Sequence, residues 1–141
     1  MYDNILIATD GSEIAKIAAE HGIELAKATG ATVHALYVVE TQAHYILTVG
    51  LGDEDMAEYR EYGEDVVENV VEVASDTGID GVGVVKSGGV ADEIVEYAEE
   101  HDVDLIVMGA TGRSAVDKYL IGSTAEKVVR TAECPVLTIR E

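Results

Sequence analysis

Residues Leu105 to Glu126 read LIVMGATGRSAVDKYLIGSTAE, and the rest of the chain is organised around them. The apolar run Leu105-Ile106-Val107-Met108 stops at Gly109, and Gly112 follows after two residues. Nine residues later come Gly122, Ser123 and Thr124, directly before the helical pattern of Ala125, Val128 and Val129. A short apolar run bounded by glycine predicts a buried strand, and the glycines predict a loop opening into a helix. Glycine lets backbone approach a ligand closely. A helix N-terminus offers free N–H groups and a partial positive charge, which suit phosphate. The segment therefore reads as a strand–loop–helix junction able to hold a nucleotide.

Working outward, Asn4 to Ala8 is a second short apolar strand, broken by Thr9-Asp10-Gly11-Ser12. Ser12 or Asp10 can cap the helix that follows, about Glu13 to Ala28. Its predicted buried face carries Ile14, Ile17, Ala18, His21, Leu25 and Ala28, and Gly30 ends it. Val33 to Val39, VHALYVV, completes a strand–helix–strand unit, so the two strands are expected to be parallel. Glu40 to Gly52 carries no clear periodicity, and a loop of that length is often functional.

A long acidic helix is predicted from about Asp53 to Asp76, burying Met56, Tyr59, Gly63, Val66, Val67, Val70, Val71 and Ala74, with Gly63 a mild weak point. Then come a strand at Gly81–Val85, a turn at Lys86–Gly89 and a helix from about Val90 to His101 that buries Val90, Ile94, Val95 and Ala98. Asp104 to Met108, a helix from Ser123 to about Ala132, and a last strand at Pro135–Ile139 complete the alternation. Strands alternating with helices predict an α/β fold with a doubly wound parallel sheet and helices on both faces. One domain over residues 1–141 is expected at this length.

The net charge of −19, from 28 acidic and 9 basic residues, disfavours nucleic acid as a partner, because phosphate contacts need clustered cations. So acidic a surface repels itself at low ionic strength and suits a salt-rich, halophilic setting. No apolar run reaches the roughly 18 residues of a membrane span, and no signal-peptide pattern is visible. A cytoplasmic protein without a membrane partner is expected. The single cysteine, Cys134, reads as structural.

In open parallel sheets ligands sit beyond the carboxyl ends of the strands, where the winding reverses. If the first and fourth strands are neighbours there, Ala8–Gly11 faces Gly109–Ser123. Asp10 can then accept from a ribose, Val38 can line a base pocket, and Gly122, Ser123 and Thr124 can donate to phosphates. Each residue also has a plainer reading. Asp10 and Ser123 are good helix caps, and Gly109 and Gly112 make a tight turn.

The spacing of Gly109, Gly112, Gly122 and Ser123 resembles the G-x-x-G-(nine residues)-G-[ST] signature of the universal stress protein family. Asn4–Ser12 resembles the family's opening strand and DGS turn, Asp102–Gly109 its DLIVMG strand, and Gly122–Val129 with Cys134–Leu137 its closing segment. The resemblance spans nearly the whole chain. It implies a five-stranded sheet in strand order 3-2-1-4-5 and, with the full glycine signature, an ATP-binding member. It also implies a role as a nucleotide-responsive module in the stress response. By matching position, the ATP-contacting residues are Ala8, Thr9, Asp10, Val38, Met108, Gly109, Gly112, Gly122, Ser123 and Thr124. It further implies a homodimer through the last strand, where Val136, Leu137 and Ile139 are expected on an exposed apolar edge.

Three positions depart from the family pattern. Ala8 and Val90 stand where proline is common, and Ala125 where some binders carry a hydroxyl. Arg113 and Lys118 are the nearby cations. No nucleophile–base–acid set and no G-K-[ST] motif is present. The spacing of His21, His34, His44 and His101 matches no metal site. His21 reads as helix packing, His34 as a strand residue, His101 as a helix end, and His44 as a residue whose loop can fold over the site. Mg²⁺ held by Asp10 is compatible with bound phosphates. A binding module is expected, with slow ATP hydrolysis left open. The alternatives are a dimeric interaction protein holding AMP or no nucleotide, and a slow ATPase using His44 or Asp10 as base.

Overall fold

A computed structural model of the chain describes residues 2–41, 53–111 and 121–140. Five strands, β1 (Asn4–Ala8), β2 (Thr32–Glu40), β3 (Gly81–Gly88), β4 (Leu105–Gly109) and β5 (Val136–Ile139), form one sheet in the order β3-β2-β1-β4-β5. Every pairing is parallel. Four helices are described: α1 (Glu13–Thr29), α2 (Asp53–Asp76), α3 (Val90–Glu100) and α4 (Ser123–Thr131).

Helices cover both faces, so the central strands are apolar throughout rather than alternating. In β1, Ile5 and Ile7 point into a core shared with α1 and α2, joined by Val33, Ala35, Tyr37, Val39, Leu105 and Val107. Leu6 and Ala8 point into the other core, with Leu36, Ile106 and Met108 under α3 and α4. The period-two alternation of each strand thus divides its side chains between the two cores.

Small residues set how closely the helices lie. A Cβ at Gly63 of α2 would run into the Tyr37 ring, with Cε1 and Cγ of that ring 2.9 Å away. The glycine that looks like a weak point in the sequence is what lets α2 rest on Tyr37. At Gly83 an added Cβ would lie 2.9 Å from Val67 Cγ2, so the bare backbone of β3 receives the valines of α2.

Four expectations need correcting. The inward face of α1 is rotated from the predicted one. Ala15, Ala19, Gly22, Ile23 and Ala26 join Ile14 and Ala18 inside, whereas His21 and Ala28 are exposed. The alanine-rich helix offers two nearly equivalent apolar stripes, and packing on Ile7 chooses the one with Gly22, where an added Cβ would be 2.7 Å from Ile7 Cδ1. Lys86 to Gly88 is strand, not turn, because Val38, Val39 and Glu40 of β2 continue alongside as partners. Tyr97, absent from the predicted face of α3, is buried. Ile139 is also buried, packing into the core under α1 instead of lying on an exposed edge.

Candidate functional site

The expected neighbourhood of the first and fourth strands is present. Ile7 pairs with Val107, and one residue further along the carboxyl ends stand Ala8 and Met108, both buried. Ala8 is level with Leu36, but β2 continues to Glu40. The shorter β1 therefore leaves a notch beside the overhanging end of β2. Val38, half-buried, belongs to the same core face as Ala8, Leu36 and Met108.

The turn after β1 is tied down by its own polar groups. The Thr9 amide donates to Leu36 O at 3.0 Å, continuing the strand pairing by one bond. Thr9 Oγ1 accepts from the Gly11 amide at 3.1 Å, and Asp10 Oδ1 accepts from the Ser12 amide at 2.9 Å. Ser12, not Asp10, caps α1: its Oγ accepts from the Ala15 amide at 3.3 Å. Gly11 holds φ +80°, a left-handed conformation that a side chain would strain. Its missing Cβ also makes room, since one there would run into the Tyr62 hydroxyl, with Tyr62 Cζ and Val66 Cγ2 each 3.1 Å away.

Across the notch, Gly109 ends β4 and is half-buried. An added Cβ would lie 3.0 Å from Ile14 Cγ2 and 3.2 Å from Thr111 O. The Ala110 amide donates to Ile139 O at 2.8 Å, and Ala110 O accepts from the Gly122 amide at 2.7 Å. The two anchors of the glycine-marked loop are thereby joined. Gly122 is the N-cap of α4 in extended backbone (φ −66°, ψ 157°) with no side-chain cap. Ser123 is exposed and Thr124 half-buried at the first turn of α4, while Ala125 is buried beneath. The helix thus presents amides without a capping oxygen from its N-cap, the arrangement suited to an anion.

Nine of the ten predicted contact residues thus lie on the ends of β1, β2 and β4 and the start of α4. Gly112 lies outside the described residues, as do Arg113, Lys118 and His44. Among the described residues no cluster of three or more His, Cys, Asp or Glu side chains can hold a metal. No described helix is long and apolar enough to cross a membrane. A groove of about 430 Å³ between α2 and β3, lined by Arg60, Glu64, Val67, Glu68, Val71, Gly83 and Val85, contains none of the predicted residues.

The polar side chains that sequence reading leaves out of the site gather elsewhere. His34 Nδ1 is 2.7 Å from the Tyr97 hydroxyl and Nε2 is 3.0 Å from Asn4 Oδ1. Because the Asn4 oxygen only accepts, Nε2–H donates to it and Nδ1 accepts from Tyr97. His101 stacks on Tyr97 with ring centroids 3.8 Å apart and bonds Tyr97 O through Nδ1. Burial, and secondarily the charge of His101, lower the His34 pKa, while burial raises that of Tyr97. The cluster joins α3 to β1 and β2 as a structural element. Burial likewise raises the Cys134 thiol pKa, in keeping with a packing role. Tyr62 is the other residue not anticipated at the site. The sequence signal for it is its place beside Gly63, the glycine of α2 that packs on Tyr37.

The fold defines the class: a doubly wound parallel sheet with a glycine-marked opening where its winding reverses. The family model described as "Universal stress protein family" matches residues 1–140. A universal stress protein of Methanocaldococcus jannaschii is 38% identical over 142 residues, covering 100% of this chain and 84% of that protein. Among solved structures, the universal stress protein UspA of Lactobacillus plantarum superposes with a TM-score of 0.86 at 28% identity, covering 99% of this chain and 98% of that one. A universal stress protein of Archaeoglobus fulgidus, solved in complex with dAMP, superposes with a TM-score of 0.72 at 25% identity, covering 99% and 98%. The chain belongs to the universal stress protein family.

Proposed function

We propose that the chain is a nucleotide-responsive regulatory module that binds ATP in the notch over the end of β1, between the ends of β2 and β4. The observation that carries this reading is the uncapped start of α4, held beside the end of β4 by the Gly122–Ala110 hydrogen bond. Ser123 and Thr124 and the amides of the first turn receive phosphates, Asp10 accepts from the ribose, and Val38, Ala8 and Met108 give the base an apolar wall. Asp10, which accepts from the Ser12 amide through Oδ1, is the carboxylate placed at this turn to hold Mg²⁺ accompanying the phosphates. The dAMP complex of the Archaeoglobus relative supports an adenine nucleotide in this fold. The same relative favours a second reading, in which AMP is the preferred ligand.

Protein purified in high salt and then denatured is expected to release ATP in near-stoichiometric amount, identified by chromatography and mass spectrometry. AMP in its place selects the second reading. If nothing is released and neither ATP with Mg²⁺ nor AMP raises the melting temperature, the nucleotide assignment fails.

Two further features belong to the same reading. A cytoplasmic homodimer forms through β5, an edge strand whose Val136 and Leu137 are half-buried in one chain. Sedimentation of wild type against a Leu137→Lys variant tests it, with loss of the dimer expected. The −19 charge is an adaptation to salt, because 9 cations cannot neutralise 28 acids. Raising KCl from about 0.1 M to about 1 M, which shortens the screening length from about 10 Å to about 3 Å, is expected to raise the melting temperature.

A further inference from the structure

We infer that Tyr62 is a positioning residue for the nucleotide site, acting through the Gly11 turn from the opposite face of the sheet; this rests on the nucleotide reading above. Ala8, Val38 and Met108 pack with the core under α3 and α4. Tyr37, and with it α2, belongs to the core on the other face. The Thr9–Ser12 turn crosses the sheet edge between the two, leaving β1 and entering α1.

Tyr62 stands against that turn from behind. Its hydroxyl and Cζ occupy the space where a Gly11 side chain would be, and Val66 fills the rest. Its ring is fixed edge-on against Tyr37, centroids 5.8 Å apart and planes at 74°. Tyr37 in turn occupies the hollow left by Gly63. A chain of close contacts therefore runs from α2 through Tyr37 and Tyr62 to Gly11, the neighbour of Asp10. Tyr62 keeps 41% of its surface exposed, so its burial contributes less to the core than an inward tyrosine would. Both glycines in this chain remove a Cβ where the next ring sits, so the contact depends on backbone shape as well as on side chains. A nucleotide bonded to Asp10 acts one residue from the Tyr62 contact, so any displacement of the turn on binding is passed to α2. The geometry thus couples ligand binding on one face to the seating of the acidic helix on the other.

The test measures ATP and AMP affinity of the full-length chain by titration calorimetry in wild type, Tyr62→Phe, Tyr62→Ala and Val71→Ala. Val71 packs the same helix onto Gly81, away from the turn, and serves as a control for plain loss of helix packing. Tyr62→Ala is expected to weaken ATP binding about ten-fold, a coupling typical of packed neighbours. Tyr62→Phe, which keeps Cζ against the turn, retains most of the affinity. Val71→Ala lowers the melting temperature and leaves affinity unchanged.

Amide NMR supplies a second readout. In wild type, ATP shifts the amides of Gly11 and of Tyr62–Val66; in Tyr62→Ala, Gly11 still responds and the helix does not. Unchanged ATP affinity in Tyr62→Ala, or an equal loss in Val71→Ala, overturns the positioning role while leaving the nucleotide reading intact. Failure of the wild type to bind either nucleotide removes both, and is seen before any variant is made.

Discussion

Helices α1 and α4 both begin at the carboxyl edge of the sheet, one after β1 and the other after β4, yet their first turns are finished in opposite ways. The start of α1 is closed by its own chain. Ser12 Oγ caps the Ala15 amide, and Asp10 Oδ1 takes the Ser12 amide. The start of α4 has a glycine as its N-cap, which brings no side-chain oxygen to the leading amides. Capping satisfies donors that a helix leaves unpaired, and each cap is worth about 1 kcal/mol. The contrast separates a turn fastened by its own side chains from one whose N-cap brings no side-chain acceptor.

The largest expected effect comes from treating the two glycines alike. Gly11→Ala forces a side chain onto φ +80° and into Tyr62, and is expected to cost about 2 kcal/mol in urea unfolding. Gly122→Ala meets ordinary extended backbone and is expected to cost about 0.5 kcal/mol or less. Equal losses would break the distinction between the held turn and the open one.

The next effect separates stability from binding at α4. Gly122→Asp supplies the missing cap and places a negative charge where phosphate is proposed. The melting temperature should hold or rise slightly, while ATP affinity falls about ten-fold, measured by calorimetry. A variant that binds ATP as tightly as wild type would remove α4 from the site. Ser12→Ala is the converse at α1. It should lose about 1 kcal/mol of stability, read from urea midpoints, and change ATP affinity far less than Gly122→Asp.

The smallest effect lies away from both helices and sharpens the comparison by showing what a purely structural polar cluster does. His34 is held neutral by burial and by the neighbouring His101, so its native pKa lies below the ordinary value of about 6.5. Below that pH the unfolded chain takes up a proton that the native state resists. The contribution of neutral His34 is therefore complete above about pH 6.5 and declines as pH falls toward the native pKa. The groups facing it are Tyr97 and His101 from α3 and Asn4 from β1. Urea midpoints measured across this window should fall with pH in wild type and fall less in His34→Gln. A pH response of equal slope in the variant would assign the effect to other groups.

Much of the candidate site is legible in the chain because its markers are local. Gly109, Gly122 and the Thr9–Ser12 turn punctuate apolar runs at places where a strand must end, and a strand ending in a parallel sheet is where ligands gather. The supports behind the site were not legible in the same way. Nothing near Gly11 in sequence announces Tyr62, and nothing near His34 announces Tyr97, 63 residues away. The inward face of α1 is fixed from a distance for a related reason. Its alanines leave two stripes of similar hydrophobicity, and only contact with Ile7 separates them.

The sequence by itself determined the alternation of strands and helices, the parallel sense of the sheet, the burial of α2 on its valine face and the position of the glycine-marked loop. These follow from periodicity and from glycine's backbone freedom, which act over a few residues. Tertiary structure decided which small residues carry close contacts: Gly63 under Tyr37, Gly11 under Tyr62, Gly22 against Ile7. It also buried Ile139 and brought the Asp104 carboxylate to the Asn4 and Asp3 amides, 100 residues away or more, which holds that carboxyl below its usual pKa. Such contacts depend on which segments the sheet order sets side by side. A local pattern does not encode that order, because β1, β2 and β4 are each apolar enough to stand at the centre.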